Sequence, residues 1–301
     1  MPEVVEITIT AQYLLSKLKN KEITEFKVLS GRYTHQDLEG EKIIKNNLPI
    51  KIKDIDSKGK FMWFELKNQK KEIYLMNTFG LTGEWSFEKQ KNSRIEIKVD
   101  DKYLYFTDDR NFGTIIITDE KEDLDKKINK LADDVLKTEF TEEEYLNKFK
   151  AYVSKSKTRK NISIVKFLME QDKTKSIGSG IGNYLSVEIL YRAKISPHRQ
   201  LGDLSDDEIK EIAYWIKKVT KLCYLSNITG YMIRLEDYVK PHREKVEKGE
   251  LPEYHKDIKI KKDEEFEFLV YRQKKDKHGN EVKNDEIIKG RSTYWVPKIQ
   301  K

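Results

Sequence analysis

The 301-residue chain is poor in cysteine, in histidine and in long apolar runs. Its one cysteine, Cys223, excludes an intramolecular disulfide and every zinc site that needs two or more thiolates. The five histidines, His35, His198, His242, His255 and His278, are scattered along the chain, so a structural metal is not expected. Its longest apolar runs, such as Phe61-Met62-Trp63-Phe64, are a fraction of the ~20 residues that a bilayer span requires, which excludes a membrane-spanning helix. The opening Met1-Pro2-Glu3-Val4-Val5-Glu6 lacks the basic and apolar regions of a secretory signal, and an intracellular protein is expected.

What is present suffices for two modest cores: 37% of the residues are hydrophobic and another 37% are charged. Lysine and arginine outnumber aspartate and glutamate by 59 to 52, and the surplus is concentrated at one end. Nine basic side chains against four acidic ones lie between Val270 and Lys301, interleaved with Tyr271, Tyr294 and Trp295. A basic segment carrying aromatic rings suits a nucleic-acid backbone with bases alongside. On composition alone a solvated tail would look the same.

Ile7, Ala11, Leu14, Leu15 and Leu18 recur at helical spacing over Val4 to Lys19. Eight short β-branched or aromatic segments follow: Ile23–Leu29, Ile50–Ile55, Phe61–Leu66, Ile73–Met76, Gly83–Phe87, Arg94–Val99, Lys102–Phe106 and Gly113–Thr118. Their even spacing without helical crossovers predicts an antiparallel β-sandwich of two sheets behind an N-terminal helix. After a polar stretch, Thr141-Glu142-Glu143-Glu144 offers a capping box, and Ser205-Asp206-Asp207-Glu208 caps a further helix reaching about Leu225. Helices are also expected over Ile162–Gln171 and Tyr184–Ala193, with a loop over 230–262. Two strand-like arms, Phe266–Gln273 and Val282–Lys289 to Tyr294–Val296, are separated by a turn at His278-Gly279-Asn280. The expected class is α+β. Its parts are a helix and sandwich over 1–125, a linker over 126–140, a helical domain over 141–262 and a terminal hairpin over 263–301.

Two motifs carry chemistry. Removal of Met1 would leave Pro2 as a secondary amine, and an α-amine with a pKa near about 8 is substantially neutral at physiological pH. Attack on an aldehydic or anomeric carbon would give a cationic iminium that acidifies the neighbouring C–H, and Glu3 could protonate a leaving oxygen. Taken alone, Met-Pro-Glu is an ordinary opening. The second motif, Ile177-Gly178-Ser179-Gly180-Ile181-Gly182-Asn183, enters a helix and suits an anion: glycines admit close approach, the helix start contributes positive potential, and Asn183 adds an amide donor. Flanked by helices and spaced differently, it is not a dinucleotide fingerprint. A helical hairpin with such a turn suits a DNA-backbone clamp better than a nucleotide cradle, and a plain glycine-rich turn between helices is the alternative reading.

Taken together, the motifs resemble those of the formamidopyrimidine-DNA glycosylase and endonuclease VIII family. Pro2-Glu3-Val4-Val5-Glu6 is similar to its Pro-Glu-x-x-Glu opening, and Gly59-Lys60 before Phe61 to its Gly-Lys strand. Phe79-Gly80-Leu81-Thr82-Gly83 and Asp108-Asp109-Arg110-Asn111-Phe112-Gly113 resemble two of its loops. Leu168-Met169-Glu170-Gln171, Gly180-Ile181-Gly182-Asn183-Tyr184 and Glu188-Ile189-Leu190-Tyr191-Arg192-Ala193 resemble its helix-two-turn-helix. Gly290-Arg291-Ser292-Thr293-Tyr294-Trp295 resembles its finger. The resemblance implies Pro2 as nucleophile, Glu3 as general acid, Glu6 and Lys60 as active-site groups, and Lys60, Asn183 and Arg291 on DNA phosphates. Leu81, Arg110 and Phe112 would fill the gap left by a flipped nucleotide.

Two departures qualify the resemblance. Many members close the finger with four cysteines, which Cys223 cannot supply, so the terminal hairpin resembles a zincless finger. At Asn227-Ile228-Thr229-Gly230 the usual glycine pair is missing, ahead of the loop that meets the damaged base. The implied activity is that of a bifunctional DNA glycosylase and abasic-site lyase of base-excision repair. It would remove oxidised pyrimidines and ring-opened purines by β,δ-elimination. The implied partner is damaged DNA, double-stranded or partly single-stranded, bound by a monomer without cofactor or membrane. The alternative is a non-catalytic binder of damaged DNA on the same scaffold.

Overall fold

The periodic apolar residues at the start form helix α1 (Val4–Leu18), with Val4, Val5, Ile7, Ile9 and Leu14 all fully buried. It belongs to the first of two units in the computed structural model, which describes residues 2–226 and 242–301. Within residues 2–130 follow β1 (Glu22–Val28), α2 (Glu41–Lys45), β2 (Ile50–Lys58), β3 (Phe61–Lys67), β4 (Glu72–Thr78), β5 (Glu84–Ser86), β6 (Ser93–Val99), β7 (Lys102–Thr107), β8 (Thr114–Thr118) and α3 (Lys121–Lys130). All eight strand segments expected from the sequence are present, and every pairing among them is antiparallel.

The strands join in one hydrogen-bonded ladder, in the order β5-β7-β6-β1-β2-β3-β4-β8. Its two halves fold over each other. Trp85 on the edge strand β5 packs edge-on to Phe64 of β3 at 5.3 Å and donates its indole N–H to Asn77 of β4 at 3.0 Å, across five intervening strand positions. The bend uses bulges. In β2 the buried positions run Ile50, Ile52, then Ile55 and Ser57, and this slip of one residue coincides with a register shift between Ile52 and Asp54. Further shifts lie between Ile23 and Glu25 and between Ser93 and Ile95.

The second unit covers residues 131–226 and 242–301 of the described chain. It holds β9 (Asp133–Asp134), α4 (Glu142–Ser154), α5 (Lys157–Lys160), α6 (Ile164–Met169), β10 (Gly178–Ser179), α7 (Asn183–Arg192), α8 (Asp206–Ser226), α9 (His242–Glu247), β11 (Lys283–Ile288) and β12 (Arg291–Trp295). The capping box at Thr141 forms as read: its hydroxyl accepts the Glu144 N–H at 3.1 Å, and the Glu144 carboxylate accepts the Thr141 N–H at 2.7 Å. Within the expected 230–262 loop, α9 is helical, and residues 227–241, including Asn227-Ile228-Thr229-Gly230, lie outside the described residues.

The terminal hairpin differs from the sequence reading in its arms. Its strands are β11 and β12, joined at Lys289-Gly290, and Phe266–Gln273 is not a strand. The reason is a buried carboxylate. Glu188 of α7 accepts the backbone N–H groups of Leu269, Val270 and Tyr271 at 2.8–3.1 Å and pairs with Arg192, so these amides have no strand partner to seek. Phe266, Phe268 and Tyr271 close around the Tyr184 ring, while Leu269, Val270 and Val296 share a core with Val187 and Tyr191. The expected turn at His278-Gly279-Asn280 is present one level up, wrapped on the Asp276 carboxylate, which also accepts the Tyr191 hydroxyl at 3.0 Å.

Candidate active site

Strand register decides what meets in the first unit. Phe61 stands opposite Thr78, and Thr78 opposite Thr114. The Gly59-Lys60 turn before β3, the 79–83 loop after β4 and the 108–113 loop before β8 therefore all leave the sheet at one end. Helix α1 runs antiparallel to β2. The Thr8 and Ser57 hydroxyls are 3.5 Å apart near the helix start, whereas the Asn20 N–H, past its end, donates to the Ile52 carbonyl at 2.8 Å. Pro2 and Glu3 thus lie toward the same end as Lys60, Leu81, Arg110 and Phe112.

At the helix start, Glu3 is the N-cap and Glu6 the third helical residue. The Glu3 N–H donates to Glu6 Oε2 at 2.9 Å, and the Glu3 carboxylate in turn accepts from the Glu6 backbone. This is a capping box made of two carboxylates. Pro2 is buried and the glutamates are 1% and 2% exposed, and the positive end of the helix favours both negative charges there. The reciprocal bonds fix the direction of the backbone that carries the Pro2 nitrogen. Lys60 occupies the second corner of a two-residue hairpin loop whose first corner, Gly59, has φ 57°, a conformation that favours glycine.

The two flanking loops are laced together. Gly80 has φ 60°, and a Cβ there would stand 2.6 Å from the Gly113 nitrogen, so only glycine permits this approach. The Thr82 hydroxyl binds Asp108, and accepts the Arg110 N–H at 3.0 Å. The other Asp108 oxygen accepts the Gly113 N–H at 2.7 Å. Leu81 is half-buried, Arg110 exposed, and Phe112 is 59% exposed, a large apolar ring in solvent held by a braced loop. A core role for Phe112 is therefore ruled out.

In the second unit the structure brings Asn183 to the hairpin. Asn183 opens α7, and its side-chain amide donates to the Ser292 carbonyl at 2.9 Å, next to Arg291 at the start of β12. The glycine-rich loop has an organiser that the sequence reading did not assign. Gln171 Oε1 accepts the Gly180 N–H at 2.7 Å, and its amide donates to the Ile181 carbonyl at 3.0 Å. Gly180 thus has its N–H engaged within the protein, and of the amide donors read for an anion, one N–H of Asn183 is likewise taken. Gln171 lies in the quoted Leu168–Gln171 segment, but a contact nine residues away leaves no local signal.

This architecture has close counterparts. Over 100% of both chains, with a TM-score of 0.75 at 18% identity, it matches the Lactococcus lactis Fpg protein in complex with DNA containing N7-benzyl-Fapy-dG. It also matches, with a TM-score of 0.75 at 19% identity, a MutM structure in complex with DNA containing carbocyclic 8-oxo-G. At such identities the structural likeness shows the fold alone, an α+β arrangement of helix, sheet, helical unit and hairpin.

Sequence similarity goes further. The Mycoplasma genitalium formamidopyrimidine-DNA glycosylase is 30% identical over 229 residues, covering 74% of each chain, and that of a Wolbachia from Brugia malayi is 26% identical over 80% of this chain and 83% of its own. Residues 1–115 match the family model of the formamidopyrimidine-DNA glycosylase N-terminal domain and residues 256–301 that of the C-terminal domain. The chain belongs to the formamidopyrimidine-DNA glycosylase family. Its class is that of the DNA glycosylases of base-excision repair. No helix among the described residues is long and apolar enough to cross a membrane.

Proposed function

We propose that the protein is a bifunctional glycosylase and abasic-site lyase that uses the Pro2 amine, freed by removal of Met1, on oxidised bases in DNA. The observation that carries this reading is the buried double-carboxylate capping box directly behind Pro2, at the sheet end that also bears Lys60 and the braced Leu81 and Arg110–Phe112 loops. The nitrogen lone pair attacks C1′ of the lesion nucleotide, the bond to the base breaks, and the base leaves with the electron pair. The proton carried by the attacking amine passes to the Glu3 carboxylate, which returns it to O4′ as the sugar ring opens and the nitrogen lone pair closes the C1′ iminium. The cation draws electrons from C2′, whose proton departs as the C3′–O bond breaks; a second elimination then breaks the C5′–O bond.

Glu6 holds the Glu3 backbone, and so the amine, in register for attack. Lys60 neutralises a phosphate, and Asn183 and Arg291 grip the backbone from the second unit. Leu81, Arg110 and Phe112 occupy the space vacated by the flipped nucleotide, the exposed Phe112 ring replacing lost stacking. The preferred lesions are oxidised pyrimidines and ring-opened purines, and the protein works as a monomer. The test is Pro2→Ala on DNA containing a single abasic site. The variant should bind the DNA with near-normal affinity and leave it uncut; cutting at the wild-type rate would refute the role of Pro2, and a wild type that binds but does not cut would leave the non-catalytic damage binder.

A further inference from the structure

A cluster in the second unit, outside the residues assigned to that chemistry, offers a candidate second site. His255, in the segment after α9, is completely buried at φ 48°, and its Nε2–H donates to the Val135 carbonyl at 2.9 Å. That bond sets the tautomer: the ring's Nδ1 carries the lone pair, and it is buried without a hydrogen-bond partner. What it faces is another lone pair. Glu139 Oε2 stands 3.5 Å away, while Glu139 Oε1 accepts the His255 N–H at 2.6 Å and so fixes the carboxylate in place.

One acceptor is a fully buried ring nitrogen and the other an oxygen of an exposed carboxylate, and two acceptors this close repel unless a positive centre lies between them. The spacing fits one. Ligand atoms about 2.1 Å from a tetrahedral zinc stand about 3.4 Å from one another. A carboxylate oxygen of Asp257 completes a set of three donor atoms within 4.8 Å of each other. Asp257 is bound to the buried Lys217 ammonium, which keeps a second anionic partner in Glu142 at 2.7 Å and can therefore release it. A histidine that donates its other ring N–H to a backbone carbonyl is also the arrangement that orients metal-bound imidazoles.

We propose that His255 Nδ1, Glu139 and Asp257 form a binding site for one zinc-class divalent cation, with water as fourth ligand. The scattered histidines of the sequence argue against such a site only until the fold joins residues more than a hundred positions apart. The cation would tie the segment between β9 and α4 to the segment after α9, adding binding energy to the stability of the second unit.

The test is calorimetric titration of the chelator-treated full-length protein with zinc ions alone, alongside thermal unfolding with and without zinc. Wild type should bind one ion per chain and unfold at higher temperature with zinc. Glu139→Gln and Asp257→Asn, both at exposed carboxylates, should each weaken binding by about tenfold or more and shrink the thermal shift. These two variants keep the buried ring, so the outcome does not depend on His255→Ala folding. No saturable binding to wild type at millimolar zinc, or unchanged affinity in both variants, would overturn the site.

Discussion

The start of α1 and the 108–113 loop sit at one end of the same sheet and are built in opposite ways. Glu3 and Glu6 are buried and bonded to each other's backbone, whereas Arg110 and Phe112 stand in solvent on a loop braced from beneath by Asp108 and Thr82. The second unit repeats the contrast: Glu188 is buried among three backbone N–H groups, and Arg291 is half-exposed beside the hairpin turn. Groups assigned to chemistry or to holding the frame are fixed before any ligand arrives. Groups assigned to recognition are left in water, where they contribute little to folding and keep their surface for a partner.

If the contrast is real, stability and binding should respond to different residues. The largest effect belongs to Glu188→Ala, which strands Arg192, the buried amides of Leu269 and Val270 and the half-buried amide of Tyr271, and should cost about 3–5 kcal/mol in urea unfolding. A loss under about 1 kcal/mol would break the comparison. Next is His242 of α9, which burial holds neutral, pushing its pKa from 6.5 down to about 4. Below about pH 6.5 the unfolded chain takes up a proton that the folded chain refuses until about pH 4. Stability is therefore whole above pH 6.5 and falls toward pH 4, by about 3 kcal/mol, and His242→Phe should flatten that slope.

Recognition residues should show the reverse. Arg291→Ala should weaken DNA binding and reduce the slope of log affinity against log salt by about one, with unfolding unchanged. An unchanged slope would remove Arg291 from the phosphate contacts. Phe112→Ala should move stability by less than about 0.5 kcal/mol while slowing base excision from duplex DNA. Normal excision would mean that the exposed ring fills no gap.

Much of the frame is legible in the sequence because its signals are local. The α1 periodicity, the eight strand segments and the caps at Thr141 and Ser205 each depend on residues a few positions apart. The hairpin arms were less legible. Phe266–Gln273 alternates like a strand, yet its amides go to a carboxylate some eighty positions earlier, and no local pattern announces that exchange. Pro2, Glu3, Lys60, Arg110 and Arg291 were visible as motifs in order along the chain. That Glu6 caps Glu3, that Gln171 organises the glycine loop and that Glu139 faces His255 emerge only from the fold.

The central claim is that the amine of Pro2 bonds covalently to the sugar. Borohydride reduction of the protein, with Met1 removed, on duplex DNA bearing one abasic site tests it directly, since reduction converts an iminium into a stable bond. The account predicts a trapped complex whose linkage maps to Pro2 by peptide mass analysis. Tight binding without any trapped complex, or a linkage that maps to Lys60, would contradict it.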